Sequence, residues 1–162
     1  MKEIKGITTR ENLRIGLVAS SFNEFITRRL LDGALEALRT NRVKEDLITT
    51  VWVPGSFELP QVASIMVDSG QYEAIVCLGT IIKGESAHFD YISSETTRGI
   101  GGLALESDIP VIFGVLTVYD TQQAIDRAGG KLGNKGYDAA LAALEMVSVL
   151  EQLEIPLVES ND

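Results

Sequence analysis

The sequence predicts an α/β fold: a three-layer α/β/α sandwich built on a four-stranded parallel sheet. Three observations lead there. Four short apolar runs are enriched in branched residues and nearly continuous in hydrophobicity, as strands covered on both faces are. Stretches of helical spacing separate them, each long enough for the crossover that adjacent parallel strands require. At 162 residues and 45% apolar, the chain is one domain, 1–162, with enough material to fill a core between two helical layers.

Residues 1–12 stand outside that core as an N-terminal arm. Ile4 and Ile7 are isolated among charged residues and threonines. The arm is either a fraying tail or a short edge strand, and a lone strand needs a sheet to pair with, one on a neighbouring subunit included. The first core strand is Ile15-Gly16-Leu17-Val18-Ala19. After it, Ile26, Leu30, Ala34, Ala37 and Leu38 recur at a helical period, with Glu24, Arg28, Arg29, Asp32 and Glu36 on the other faces. The second strand spans residues 47–53 and ends in Trp52-Val53, with Trp52 read as packing. Leu59, Val62, Ala63, Met66 and Val67 then form one helical stripe, and Pro60 suits its first turn because the missing N–H has no partner there to lose. The third strand is Ala74-Ile75-Val76-Cys77-Leu78, where Cys77 reads as core. A third helix runs from Phe89 through Ile92, Thr96, Gly99 and Leu103, weakened by Gly99, Gly101 and Gly102, and stops before Pro110. The fourth strand is Val111-Ile112-Phe113-Gly114-Val115. A short helix over 121–128, a kink at Gly129-Gly130 or Gly133, and a long helix over 137–153 complete the chain.

In an open parallel sheet, ligands bind beyond the C-terminal ends of the strands. Those ends are Ser20-Ser21-Phe22-Asn23, Pro54-Gly55-Ser56-Phe57-Glu58, residues 79–88 and residues 116–120, and the unusual residues of the chain gather in them. A net charge of −9 repels nucleic acid and anionic lipid, so a phosphorylated substrate requires a local positive site. One cysteine and one histidine, His88, exclude an internal disulfide and a Cys/His zinc cluster. No metal or cofactor is expected. The N-terminus lacks an apolar leader segment, and the apolar runs are too short to span a bilayer, which predicts a cytoplasmic protein.

Familiar nucleotide motifs fail. Gly79-Thr80-Ile81-Ile82-Lys83-Gly84 has the glycine spacing of a P-loop, but Glu85 puts negative charge where triphosphate binding needs lysine. No GxGxxG follows the first strand. A response-regulator domain would need acidic residues where Ser20-Ser21 and Gly79-Thr80 stand. What remains is a loop in which Lys83 carries charge, Gly84 permits close backbone approach, and Ser86 with the amides of the next helix can donate to a phosphate monoester. A polar turn capped by Ser86 fits the spacing equally well.

Several separated stretches resemble the lumazine synthase family: Val53-Pro54-Gly55-Ser56-Phe57-Glu58-Leu59-Pro60, Gly84-Glu85-Ser86-Ala87-His88-Phe89, Gly114-Val115-Leu116-Thr117 and Gln123-Ala124-Ile125-Asp126-Arg127-Ala128-Gly129. Asn134-Lys135-Gly136-Tyr137-Asp138-Ala139-Ala140 and Ala143-Leu144-Glu145-Met146 extend the match to nearly the whole chain, in order. The resemblance implies a flavodoxin-like sheet and a transferase-type condensation in riboflavin biosynthesis. In that reaction 5-amino-6-ribitylamino-uracil joins 3,4-dihydroxy-2-butanone 4-phosphate to give 6,7-dimethyl-8-ribityllumazine, phosphate and water. It also implies homopentamers with sites between neighbouring subunits. The short linker Gly129-Gly130-Lys131-Leu132-Gly133 is similar to that of members whose pentamers pack into sixty-subunit icosahedral shells, and association with riboflavin synthase belongs to the same expectation.

By the same resemblance, Phe22 stacks on the pyrimidine, Ser56 and Glu58 hold the ribityl chain with Asn23 nearby, and Ile81 and Ile82 contact the ring. Phe57 supplies an aromatic wall where some members have tryptophan. Gly84, Glu85 and Ser86 match the phosphate loop, Glu85 at a variable position and Ser86 in place of the more usual threonine. His88 matches the proton-transfer residue. Phe113, Arg127 and Lys135 match the neighbour's contribution, with Arg127 as phosphate anchor. Val118 replaces a common threonine, and no proposed catalytic position is lost.

Residue chemistry is compatible with these roles while leaving plainer ones open. An imidazole can take a proton from an attacking amine and return one to a leaving oxygen, whereas His88 is otherwise an ordinary helix-start residue. A guanidinium offers paired donors matched to phosphate, whereas Arg127 is otherwise a solvated charge. Lys135 either tunes the site electrostatically or pairs with Asp138 or Glu58, and no Schiff base is needed because the substrate brings its own amine. Glu58 is otherwise a carboxylate favoured by a helix dipole, and Phe22 a staple on the first helix. The rival to an enzyme is a noncatalytic protein that binds a flavin-like or lumazine ligand, or one that serves as a structural shell.

Overall fold

A computed structural model describes residues 1–153, and residues 154–162 of the expected 1–162 domain lie outside the described residues. Four parallel strands, β1 (Ile15–Ser20), β2 (Ile48–Val53), β3 (Ala74–Ile82) and β4 (Val111–Val118), form one sheet in the order β2-β1-β3-β4. The helices α1 (Glu24–Thr40) and α5 (Lys135–Leu153) cover one face, and α2 (Leu59–Asp68) and α3 (His88–Glu106) cover the other. This is the flavodoxin-like α/β/α sandwich that the sequence predicts.

The two cores follow from the alternation of side chains along each strand. In β3, Ala74, Val76 and Leu78 face α1 and α5, while Ile75, Cys77 and Ile81 face α2 and α3. A strand buried this way reads as one apolar run, and each fully buried Leu or Ile contributes about 1.5–3 kcal/mol. The predicted stripe of α1 is buried throughout. That of α2 buries Leu59, Ala63 and Met66, with Pro60 in the first turn. Cys77 is fully buried, and loss of solvation pushes its thiol up to about 12. Trp52 is half-buried, with the Arg28 guanidinium 4.7 Å from its ring centre, a cation–π contact added to the expected packing.

Several local expectations change. Strand β3 runs on to Ile82, four residues past the apolar run, because Gly79 to Ile82 keep their register with Val115 to Val118 of β4. Helix α3 is unbroken through its glycines. A Cβ on Gly99 would stand 2.7 Å from Pro60 Cγ, so this glycine lets α3 close onto α2 and its weak propensity is offset by packing. The expected kink after the short helix α4 (Thr121–Arg127) is a tight antiparallel hairpin of β5 (Ala128–Gly130) and β6 (Gly133–Asn134), with Gly129 and Gly133 at φ of 95° and 81°. Asn134 Oδ1 then accepts the N–H groups of Gly136 and Tyr137 at 2.9 and 3.1 Å, which starts α5 at Lys135 rather than Tyr137.

The arm up to Arg10 has no regular secondary structure and lies against α5. Ile7 N–H donates to Ser148 Oγ at 3.1 Å, Gln152 Nε2 donates to Lys5 O at 2.9 Å, and Arg10 pairs with Glu151 through both terminal guanidinium nitrogens. Within one chain it is thus neither a frayed tail nor a strand. No helix among the described residues is long and apolar enough to cross a membrane.

Replacing Gly99 by Ala tests the α2–α3 contact. The methyl must displace a rigid proline ring, so Gly99→Ala is expected to lower unfolding free energy by about 1–2 kcal/mol despite the better helix propensity. Urea denaturation followed by circular dichroism measures it, and an unchanged midpoint would show that the helices have slack.

Candidate active site

The chain leaves β1 through Ser21 and Phe22, whose N–H groups donate to Val53 O and Pro54 O at 2.7 and 2.9 Å. These bonds prolong the β1–β2 pairing past the strand ends and bring Phe22 beside the Pro54-Gly55-Ser56 segment. Asn23 then turns the backbone left-handed, with φ of 59°. Its Nδ2 donates across the sheet end to Thr80 O at 3.0 Å, and its carbonyl accepts from Ile26 and Thr27, which opens α1. Beneath it the Thr27 and Thr80 hydroxyls meet at 3.2 Å in the buried core. Phe22 is 72% exposed, so it staples nothing within the chain, and its ring is free to act as a wall.

The second wall is the 3-10 turn Ser56–Glu58. Ser56 is buried, Phe57 exposed and Glu58 half-buried. Glu58 Oε2 accepts the Gly55 N–H at 3.1 Å, which closes the turn before α2. The third wall is the exposed segment from Lys83 to His88. Ser86 Oγ accepts the His88 N–H at 3.3 Å within the turn that leads into α3, of which His88 is the first residue.

These walls enclose an open cavity of about 540 Å³. It is lined by Phe22, Asn23, Ser56, Phe57, Glu58, Ile81, Ile82, Gly84, Ser86 and His88 among the residues expected from sequence. Glu85 is the exception in the phosphate loop: it is exposed and outside the lining. Lys83 also stays out, its Nζ 5.5 Å from the centre of the Tyr119 ring. Thr80, Phe89 and Ile92 line the cavity although the sequence did not single them out. Phe89 and Ile92 could have been found, because they share a helical face one turn apart just after His88. Thr80 falls in the 79–88 window at the end of the third strand, but nothing in its residue type distinguishes it there.

The remaining expected residues lie elsewhere. Phe113, Arg127 and Lys135 line a second cavity of about 430 Å³ over β4, together with Thr117, Asp138 and Ala139. Arg127 is half-buried and donates to Gln123 O at 3.1 Å, and within the chain Lys135 lies 3.7 Å from Asp138. The cavities share no lining residue. One holds aromatic, hydroxyl and carboxylate groups with His88 and no Lys or Arg, and the other holds two cations beside an aromatic ring. A third depression, at the N-terminal ends of the strands around Arg14, Tyr72 and Pro110, contains no expected site residue. Among the described residues no group of three or more His, Cys, Asp or Glu is placed to hold a metal ion.

Comparison with known proteins places both cavities in a single matched span. A family model described as 6,7-dimethyl-8-ribityllumazine synthase matches residues 12–151. Proteins of that description from two strains of Clostridium kluyveri are each 50% identical to this chain over 154 residues, covering 95% of it and 100% of the relative.

The left-handed turn at Asn23 can be separated from its hydrogen bond. Asn23→Ala loses the bond to Thr80 and the short polar side chain that lets asparagine tolerate a left-handed backbone better than alanine does, an expected loss of about 2 kcal/mol. Asn23→Gly relieves the torsion and should lose about half as much. Equal losses, compared by chemical denaturation, would mean that the torsion carries no weight.

Proposed function

The chain belongs to the 6,7-dimethyl-8-ribityllumazine synthase family, and from that premise we propose how its residues divide the reaction. The enzyme condenses 5-amino-6-ribitylamino-uracil with 3,4-dihydroxy-2-butanone 4-phosphate to form 6,7-dimethyl-8-ribityllumazine, phosphate and water, a step of riboflavin biosynthesis. The observation that carries the division is the separation of ring-binding and cationic groups into two cavities.

The pyrimidine lies in the first cavity. Phe22 stacks on its face, while Ile81, Ile82 and Phe57 exclude water from its edges. Ser56, Glu58 and Asn23 take the ribityl chain: Glu58 Oε2 is held by Gly55, leaving Oε1 to accept from a ribityl hydroxyl. The butanone phosphate lies toward the 83–88 segment, where Gly84 allows the anion close to the backbone and Ser86 donates to it. Glu85, outside the lining, acts on the anion only through its backbone.

With no Lys or Arg in that cavity, the dianion needs cations from elsewhere, and the second cavity of an adjacent subunit supplies Arg127 and Lys135. Arg127 offers two parallel donors to the phosphate and offsets its charge as it leaves. Phe113 of that subunit closes the ring pocket. Sites so completed require a homo-oligomer, a pentamer by family likeness. The short β5–β6 hairpin favours the sixty-subunit shell, with riboflavin synthase as an associated partner in the cytoplasm. Residues 1–12 serve as an arm that exchanges its contacts on α5 for pairing with a neighbour.

The uracil's 5-amino nitrogen adds to the ketone carbon, and loss of water gives an imine. Elimination expels phosphate, and the ribitylamino nitrogen closes the second ring with loss of water. Both reactants are intrinsically reactive, so the protein contributes chiefly orientation and stabilisation of the departing phosphate. His88, at the mouth of the same cavity, takes the proton from the attacking amine and returns one to the leaving oxygen.

His88→Ala is expected to lower kcat by about 10²-fold without abolishing it, read from lumazine fluorescence and released phosphate. Complete inactivity in a correctly assembled variant would make proton transfer, not orientation, the main source of the rate enhancement. Mixing assembly-competent Phe22→Ala and Arg127→Ala subunits is expected to restore activity at hybrid sites. Verified co-assembly with no recovery would place both residues in a site formed by one chain.

A further inference from the structure

Beneath the first cavity lies a hydroxyl to which no role has yet been given. Ser20, the last residue of β1, is fully buried, and its Oγ has no hydrogen-bond partner. Buried hydroxyls are nearly always bonded, because leaving one unmade costs stability. Its surroundings supply a reason. The β1–β3 register runs to Ala19 and Leu78, so the next step sets Ser20 beside Gly79. A Cβ on Gly79 would stand 2.9 Å from Ser20 Oγ and 2.7 Å from Ser56 Oγ. Two hydroxyls from different segments therefore flank the one space that the glycine leaves open. Ser56 is only 5% exposed, yet it lines the cavity.

We propose that Ser20 is a positioning residue for Ser56, part of a directional hydrogen-bond relay that closes when the ribityl chain binds. The Ser20 O–H donates across the Gly79 gap to Ser56 Oγ, which leaves the Ser56 proton pointing into the cavity to donate to a ribityl oxygen. That ribityl hydroxyl in turn donates to the Glu58 carboxylate, an acceptor only. Each donor in the chain strengthens the next, and the order of donors reads a hydroxyl at one depth of the cavity. A side chain on Gly79 would fill the gap and uncouple the two serines. The inference rests on the ribityl roles assigned to Ser56 and Glu58.

The test uses the assembled full-length enzyme and Ser20→Ala, which deletes one oxygen. The KM for 5-amino-6-ribitylamino-uracil is expected to rise about fivefold, while the KM for the butanone phosphate stays unchanged. The Tm should equal or exceed that of the wild type, because an unpaired buried polar atom has been removed. A 5-amino-6-alkylamino-uracil without hydroxyls should give the same KM with both proteins. Gly79→Ala should raise the ribityl-substrate KM at least as much, and adding Ser20→Ala to it should cause no further loss, as for members of one network. An unchanged ribityl KM in Ser20→Ala overturns the proposal. So does a lower Tm with both KM values rising together, or an alkyl analogue that loses as much. Wild-type protein that forms no lumazine refutes the functional reading itself and this inference with it, whereas an active wild type beside an indifferent Ser20→Ala refutes the inference alone.

Discussion

Both cavities depend on one strand. β3 is hydrogen-bonded to β1 on one edge and to β4 on the other, and it is buried on both faces along nearly its whole length. A backbone in that position has no water to fall back on, so every amide must find its partner in the neighbouring strands. This forces β1 and β4 into fixed register on either side. The chain leaving β1 then delivers Phe22 and Asn23 to one cavity, and β4 lines the other. The last residues of β3, Thr80 to Ile82, are themselves lining. The sheet thus fixes the strand ends from which the segments lining the two cavities depart.

Much of this architecture was legible because burial on two faces leaves an unambiguous mark in composition. The four strands needed only their continuous apolar runs, the stripe of α1 its helical period, and Pro60 its missing N–H. Periodicity fell short where the decisive contact was not apolar. The last four residues of β3 include Gly79 and Thr80, whose places are fixed by ladder pairing and hydroxyl contacts rather than by hydrophobicity. The glycines of α3 look like helix breakers until Pro60 is set against Gly99. The hairpin before α5 turns on the side chain of Asn134, which bonds α1 as well as its own helix start. Site residues were harder. Spacing alone left His88, Arg127 and Glu58 as ordinary helix residues, and only their company in ordered motifs distinguished them. Ser20 carries no signal in sequence and becomes conspicuous only through a buried hydroxyl without a partner.

Charge is distributed to the same plan. A chain with net charge −9 is a poor collector of phosphorylated molecules by its overall field, so local arrangement must do the collecting. Arg127 and Lys135 share their cavity with Asp138, whose carboxylate steadies the lysine. Elsewhere several arginines are tied down: Arg10 on Glu151, Arg14 on Glu73, Arg28 on Glu24. Such exposed pairs add little to stability, but they lower the number of positive groups competing for an anion.

Asn23 shows how easily chemistry and geometry are confused. Its side chain lines the first cavity, yet its amide is bonded to the end of β3 and its backbone holds a left-handed turn. Selection for that torsion alone would preserve asparagine or admit glycine, whatever the ligand. An asparagine kept at this place across descendants would therefore be a record of how a strand hands over to a helix, and counting it as proof of a shared substrate would mistake carpentry for recognition.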